Sequence, residues 1–110
     1  MMNIKELLTK QAELQVLMGL SLELRSGEKA VKESILACAA ELFEVLNEIN
    51  WKPWKKTLKP VDAEKLKSEL VDVLQFWANA VNAAGFSPEE MEEALKIKWQ
   101  INERRVKDGY

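Results

Sequence analysis

The chain has 110 residues, 47% of them hydrophobic and 31% charged, with a formal net charge of −2. That is enough for one domain, read here as residues 1–110, and the charge balance gives no reason to expect nucleic acid or an anionic membrane as a partner. One cysteine excludes an internal disulfide, and the absence of histidine removes Ser-His and Cys-His catalytic machinery, histidine-ligated zinc and Glu-x-x-His di-iron sites.

No apolar run approaches the roughly 18–20 residues of a membrane span, and the N-terminus has no signal-peptide core. With a single cysteine, these features lead us to expect a cytoplasmic protein. Cys38 has no histidine partner and is expected to be a packed core residue. Any bound metal must be held by carboxylates, which suit Mg²⁺, with Mn²⁺ as the alternative.

In chain order, the spacing of Ile4, Leu7, Leu8, Leu14, Met18 and Leu22 predicts an amphipathic helix over 3–24, stopped by Ser26-Gly27. Gln11 interrupts its apolar face and is either a solvated edge residue or part of a site. A second helix is expected from Glu28 to Ile49, carrying Glu41, Glu44 and Glu48 on one side of an otherwise apolar stretch. Neither Glu41 nor Glu44 has a Lys or Arg within helical reach, whereas Lys52 stands four residues beyond Glu48.

Pro53 and Pro60 deny helix continuation. The segment between Asn50 and Pro60 holds four lysines and two tryptophans. Trp51 and Trp54 either dock the loop on the core or stack on a base, and Lys55 and Lys56 either solvate it or meet phosphate. Asp62 is a plausible N-cap for a third helix over 63–84, whose centre sets Glu69 and Asp72 in an apolar run. Lys65 can pair with Glu69, while Asp72 has no such partner. Gly85 fits the end of that helix, and Ser87-Pro88-Glu89-Glu90 reads as a capping box that starts a fourth, over 88–106. On this helix Lys98, Asn102 and Arg105 extend an apolar face with polar groups, either as a solvated end or as the wall of a site.

The fold expected from this pattern is all-α and four-helix bundle-like, assembling into a helical homo-oligomer. The load of four tryptophans and three phenylalanines argues for burial between subunits. Two acid pairs in apolar surroundings pose an electrostatic problem. Unit charges about 6 Å apart repel by roughly 3 kcal/mol at an effective dielectric near 20. Divalent ions resolve it and leave coordination places for water and phosphate oxygens.

Glu41-x-x-Glu44, 24 further residues, then Glu69-x-x-Asp72 resembles the signature of the all-α nucleoside triphosphate pyrophosphohydrolases, which include MazG-like proteins and dimeric dUTPases. Gln11-x-x-Leu14, Asn47-Glu48 with the Trp51–Lys55 loop, the run from Glu69 to Phe76, and Lys98-x-x-x-Asn102-x-x-Arg105 resemble the short bacterial and phage members of the dUTPase branch. The resemblance implies Mg²⁺-dependent conversion of a nucleoside triphosphate, dUTP or a related pyrimidine deoxynucleotide, to monophosphate and pyrophosphate. It implies metal ligands at Glu41, Glu44, Glu69 and Asp72, with Glu48 as an additional acid and Glu44 acting on the attacking water. Lys98, Arg105, Lys55 and Lys56 would contact phosphates, and Gln11, Trp51, Trp54 and Asn102 the base and sugar. Gln75 stands where dUTPase-like sequences often have histidine, which keeps a broader MazG-like preference, or one for dCTP, in play. A chain this short implies that a partner subunit closes each site, in a homodimer or dimer of dimers. The contrasting reading is a non-enzymatic helical adaptor.

Overall fold

The computed structural model describes residues 2–109. Among them the elements are four helices: α1 (Ile4–Leu17), α2 (Glu28–Asn47), α3 (Ala63–Ala84) and α4 (Pro88–Lys107). The all-α class matches the sequence expectation.

Local chemistry sets the boundaries. Asn3 caps α1 by accepting from the Glu6 N–H. Asp62 caps α3 by accepting from the Glu64 and Lys65 N–H groups at 3.1 and 3.2 Å. At Ser87 the hydroxyl accepts from Glu90 N–H while the Glu90 carboxylate accepts from Ser87 N–H, and Pro88 opens α4. These reciprocal bonds satisfy donors that a bare helix end leaves free. Gly85 ends α3 at φ 81°, a left-handed conformation that costs glycine little.

The first helix is shorter than its periodicity predicts, ending at Leu17 instead of residue 24. Gly19, at φ 86°, is the cause. Its N–H donates to Val16 O and that of Leu20 to Gln15 O, the paired bonds that reverse a chain at a helix end. Leu22 and Leu24 continue the apolar rhythm but lie in turns and are mostly exposed. Helix α2 likewise stops at Asn47, two residues early.

Helices α2 and α3 form an antiparallel hairpin, tied at one end where Gly27 N–H donates to Ala83 O at 2.9 Å. Helix α1 crosses α3, and α4 leans on α1. The core lies between α1 and α3, where Leu8, Ala78 and Val81 are buried with Ile4, Leu7, Trp77 and Met91 packed around them. Cys38 is only half-buried, and its thiol donates to Val73 O at 3.6 Å, so it belongs to the α2–α3 seam and not to this core.

The arrangement is more open than a closed bundle. The radius of gyration is 17.2 Å, against about 13 Å for a compact chain of this length. Accessible surface is 8789 Å², against roughly 6,200 Å² for a folded monomer of this mass. Much of the excess is apolar: Leu36, Phe43, Leu95 and Trp99 are each more than 60% exposed.

Candidate functional site

The acids of α2 and α3 meet across the hairpin. One carboxylate oxygen each from Glu41, Glu69 and Asp72 lies within 4.8 Å of the others. All three residues are half-buried. Two oxygens on opposite sides of one Mg²⁺ lie about 4.2 Å apart, so a small side-chain adjustment lets this donor set close on such an ion. The chemistry is also right, since hard divalent cations take carboxylate oxygens.

Burial pushes the Glu69 carboxyl above its ordinary value, and the negative charges of Asp72, Glu41, Glu44 and Glu48 push it further in the same direction. All five acids therefore share one field, although Glu44 and Glu48 stand outside the tight group of three. Among the described residues the ion pairs are Lys29–Glu33, Lys67–Glu64 and Lys107–Glu103, none of which touches these acids. The expected Lys65–Glu69 pair does not form; Lys65 is exposed, and its neighbour Lys67 pairs with Glu64. Nor does Lys52 neutralise Glu48. Its ammonium sits 5.6 Å from the Trp51 ring centre instead.

Beyond the end of α2 the chain forms the lysine-tryptophan loop. Asn50 closes it, accepting from Lys59 N–H at 3.0 Å and donating to Lys59 O at 2.8 Å. Trp51 and Trp54 meet edge to face with ring centres 5.8 Å apart. A concavity of about 380 Å³ lies inside, walled by Asn47, Trp51 and lysines 52, 55, 56 and 59. Cations are thus gathered next to the helix that carries Glu48, and the loop's side chains are exposed. Asn50 and Lys59 were not among the residues singled out by sequence. The pairing of a loop-opening Asn with a backbone group nine residues on leaves no periodic signal.

Gln11 is the buried polar residue of the core region, only 5% exposed. Its Nε2 donates to Asn79 Oδ1 at 3.0 Å, and Asn82 donates to Leu8 O one turn away. Gln11 and Gln75 share the wall of a concavity of about 350 Å³ between α1 and α3. Asn79 is a second residue that sequence reasoning passed over. Its signal was the run Asp72, Gln75, Asn79 and Asn82, spaced to share one face of α3.

The fourth helix does not complete the site within one chain. Lys98, Asn102 and Arg105 are exposed; the α4 backbone approaches that of α1 and not those of α2 or α3, although Met91 reaches the core beside Ala78 and Val81 of α3. Lys98 instead borders an apolar groove with Ile4, Trp77, Met91, Ala94 and Leu95.

Four helices, with an acid triad on an antiparallel pair and a cationic loop at its end, define an all-α protein with a carboxylate-lined candidate metal centre. The family model described as dUTPase matches residues 3–103, and the chain belongs to that family. It is also 35% identical over 71 residues to a dCTP pyrophosphatase of Enterobacteria phage LZ5, an alignment covering 54% of this chain and 41% of that protein. The chain therefore spans less than half the length of this curated relative. No solved structure matches it.

Proposed function

We propose that this chain is a single-domain, Mg²⁺-dependent nucleoside triphosphate pyrophosphohydrolase acting on a pyrimidine deoxynucleotide. The observation that carries the reading is the convergence of Glu41, Glu69 and Asp72, which make no ion pair among the described residues. Membership of the dUTPase family supports it, and favours dUTP as substrate. The phage relative's name favours dCTP as the alternative. A broader MazG-like preference is the wider form of the same activity.

In this reading Glu41, Glu44, Glu69 and Asp72 hold the metal, and Mn²⁺ can replace Mg²⁺. The bound ion supplies charge neutralisation for phosphate oxygens and lowers the pKa of coordinated water. Glu44, exposed at the rim, accepts the proton of the attacking water. The water oxygen bonds to phosphorus as the bond from that phosphorus to the oxygen bridging the α and β phosphates breaks, and the bridging oxygen leaves with its electron pair, giving the nucleoside monophosphate and pyrophosphate. Glu48 supports the cluster from the next turn. Lys55 and Lys56 meet the phosphates from the loop, while Trp51 and Trp54 offer faces for base or sugar, and Gln11 an amide edge.

Lys98, Arg105 and Asn102 act from a second copy of the chain, since their own helix leads away from their own acids. The surplus of roughly 2,600 Å² over a compact monomer is of the size that obligate interfaces bury. In this reading the working unit is a homodimer, or a dimer of dimers, placed in the cytoplasm. An adaptor without activity would leave the uncompensated acids without a purpose.

Release of pyrophosphate from dUTP, dCTP, dTTP and purine deoxynucleotides, with Mg²⁺ and with EDTA, tests the reading. Mg²⁺-dependent release from a pyrimidine substrate is the expected result. No release from any nucleotide overturns it.

A further inference from the structure

From the Gln11–Asn79 hydrogen bond we infer that Asn79 is a positioning residue for base selection, acting through Gln11. The inference rests on the nucleotide reading above and adds to it a residue that touches no substrate.

A carboxamide has two chemically opposite ends that differ little in shape, so a free glutamine offers donor and acceptor interchangeably. Gln11 is not free. It is buried, and its Nε2 is committed to Asn79 Oδ1. A buried amide is costly unless it is bonded, so the flipped orientation, setting Oε1 against Asn79 Oδ1, would oppose two acceptors. The bond therefore ties the orientation of Gln11 to that of Asn79, whose Oδ1 must face Nε2 for Oε1 to stay free. Oε1 finds no partner among the described residues and is not sealed from solvent. Gln11 also borders the concavity that it shares with Gln75. That edge presents an acceptor to an N–H of a pyrimidine.

The placement suits such a role. Asp72, Gln75, Asn79 and Asn82 recur at intervals of three and four residues along α3, so the polar line that begins at the acid cluster continues under α1. Asn79 stands seven residues past Asp72, about 10 Å along the helix, a reach comparable with that of a nucleoside from phosphate to base. Asn82, donating to Leu8 O, holds the same turn of α1 in register. One polar seam thus links the metal end to the amide.

Steady-state kinetics on the full chain, by pyrophosphate release from dUTP, dCTP and dTTP, test this in Asn79→Ala, Asn79→Asp, Gln11→Ala and the Gln11→Ala/Asn79→Ala pair. Asn79→Ala is expected to lower kcat/KM for the preferred pyrimidine on the order of ten-fold, chiefly through KM, and to flatten the ratio among pyrimidines. Asn79→Asp keeps an acceptor for Nε2 and is expected to retain the wild-type ratio. In the Gln11→Ala background, loss of Asn79 is expected to add less than about two-fold, because coupled residues are non-additive. An unchanged ratio in Asn79→Ala, full additivity in the pair, or a wild-type protein that treats the pyrimidines alike overturns the role. Should Asn79→Ala fail to fold by circular dichroism, Asn79→Asp decides, and loss of the ratio there overturns it. Absence of release by the wild-type protein overturns the nucleotide reading itself, whereas release with unaltered selectivity overturns only the part given to Asn79.

Discussion

Glu41 of α2 and Asp72 of α3 bring carboxylate oxygens within 4.8 Å of each other across an antiparallel helix pair, with Glu69 at the same range. Like charges at that separation oppose the packing of the helices that carry them. The hairpin is therefore held by its apolar seam and by the Gly27–Ala83 tie against the acids, not by them. Such a cluster stores repulsion that a bound divalent cation would release.

Asp72→Asn and Glu44→Gln should separate catalysis from folding. Each is expected to abolish pyrophosphate release while far-UV circular dichroism remains helical. Asp72→Asn should also raise the melting temperature of the metal-free protein slightly, because one repelling charge is gone. Turnover at the wild-type rate in either variant would remove that residue from the site.

The Glu69 shift gives a pH dependence with a definite sign. Its carboxyl is raised in the folded state by burial and by four neighbouring acids, so the native protein binds that proton more tightly than the unfolded chain does. Its contribution in EDTA is therefore most favourable below the ordinary glutamate value and is lost as pH rises through the raised native one. Divalent binding should run the other way, strengthening with pH and releasing protons. Melting curves across this range, with EDTA and with Mg²⁺, check both, and Glu69→Gln should weaken the slope in EDTA.

If Arg105 and Lys98 serve the partner's acids, activity can be rebuilt from two dead proteins. Glu44→Gln mixed and refolded with Lys98→Ala/Arg105→Ala forms heterodimers in which one site carries every lesion and the other none. Roughly a quarter of wild-type activity should return in an equimolar mixture. Recovery of nothing beyond the separate proteins would place the site within one chain.

Exposed apolar side chains predict the assembly itself. Phe43 is 66% exposed beside the acids on α2, and Leu36 is 62% exposed two turns earlier. Leu36→Glu with Phe43→Asp should shift sedimentation from dimer or larger species to monomer and remove activity. A wild-type chain that sediments as a monomer would refute the assembly.

Much of the fold was legible because its punctuation is chemical. Asp62 and Gly85 bracket α3 at the residues expected, and the Ser87–Glu90 box starts α4. Periodicity misled at α1, where Leu22 carries the apolar rhythm past Gly19 into turns. The convergence of Glu41, Glu69 and Asp72 could be anticipated from spacing, since each pair falls on one helix face. The role of Asn79 could not, although it shares a face with Asp72 and Gln75, because a carboxamide's meaning lies in its partner, and Gln11 is 68 residues away. Nor could the remoteness of Arg105 from its own acids. A repeating stripe states that a face is covered without stating which chain covers it.

Asn50 gives the lysine loop a property that its composition alone would not. By clamping both backbone groups of Lys59 with one carboxamide, it makes residues 50–59 a closed ring. Lysines 52, 55, 56 and 59 are tethered to that ring and cannot drift far apart to relieve their mutual repulsion. The ring behaves as a charged capacitor, discharged in proportion to the negative charge it receives. A triphosphate discharges it more fully than a monophosphate. On the nucleotide reading proposed above, the same clamp would favour the triphosphate over the nucleoside monophosphate, and rising salt should erode the difference between them.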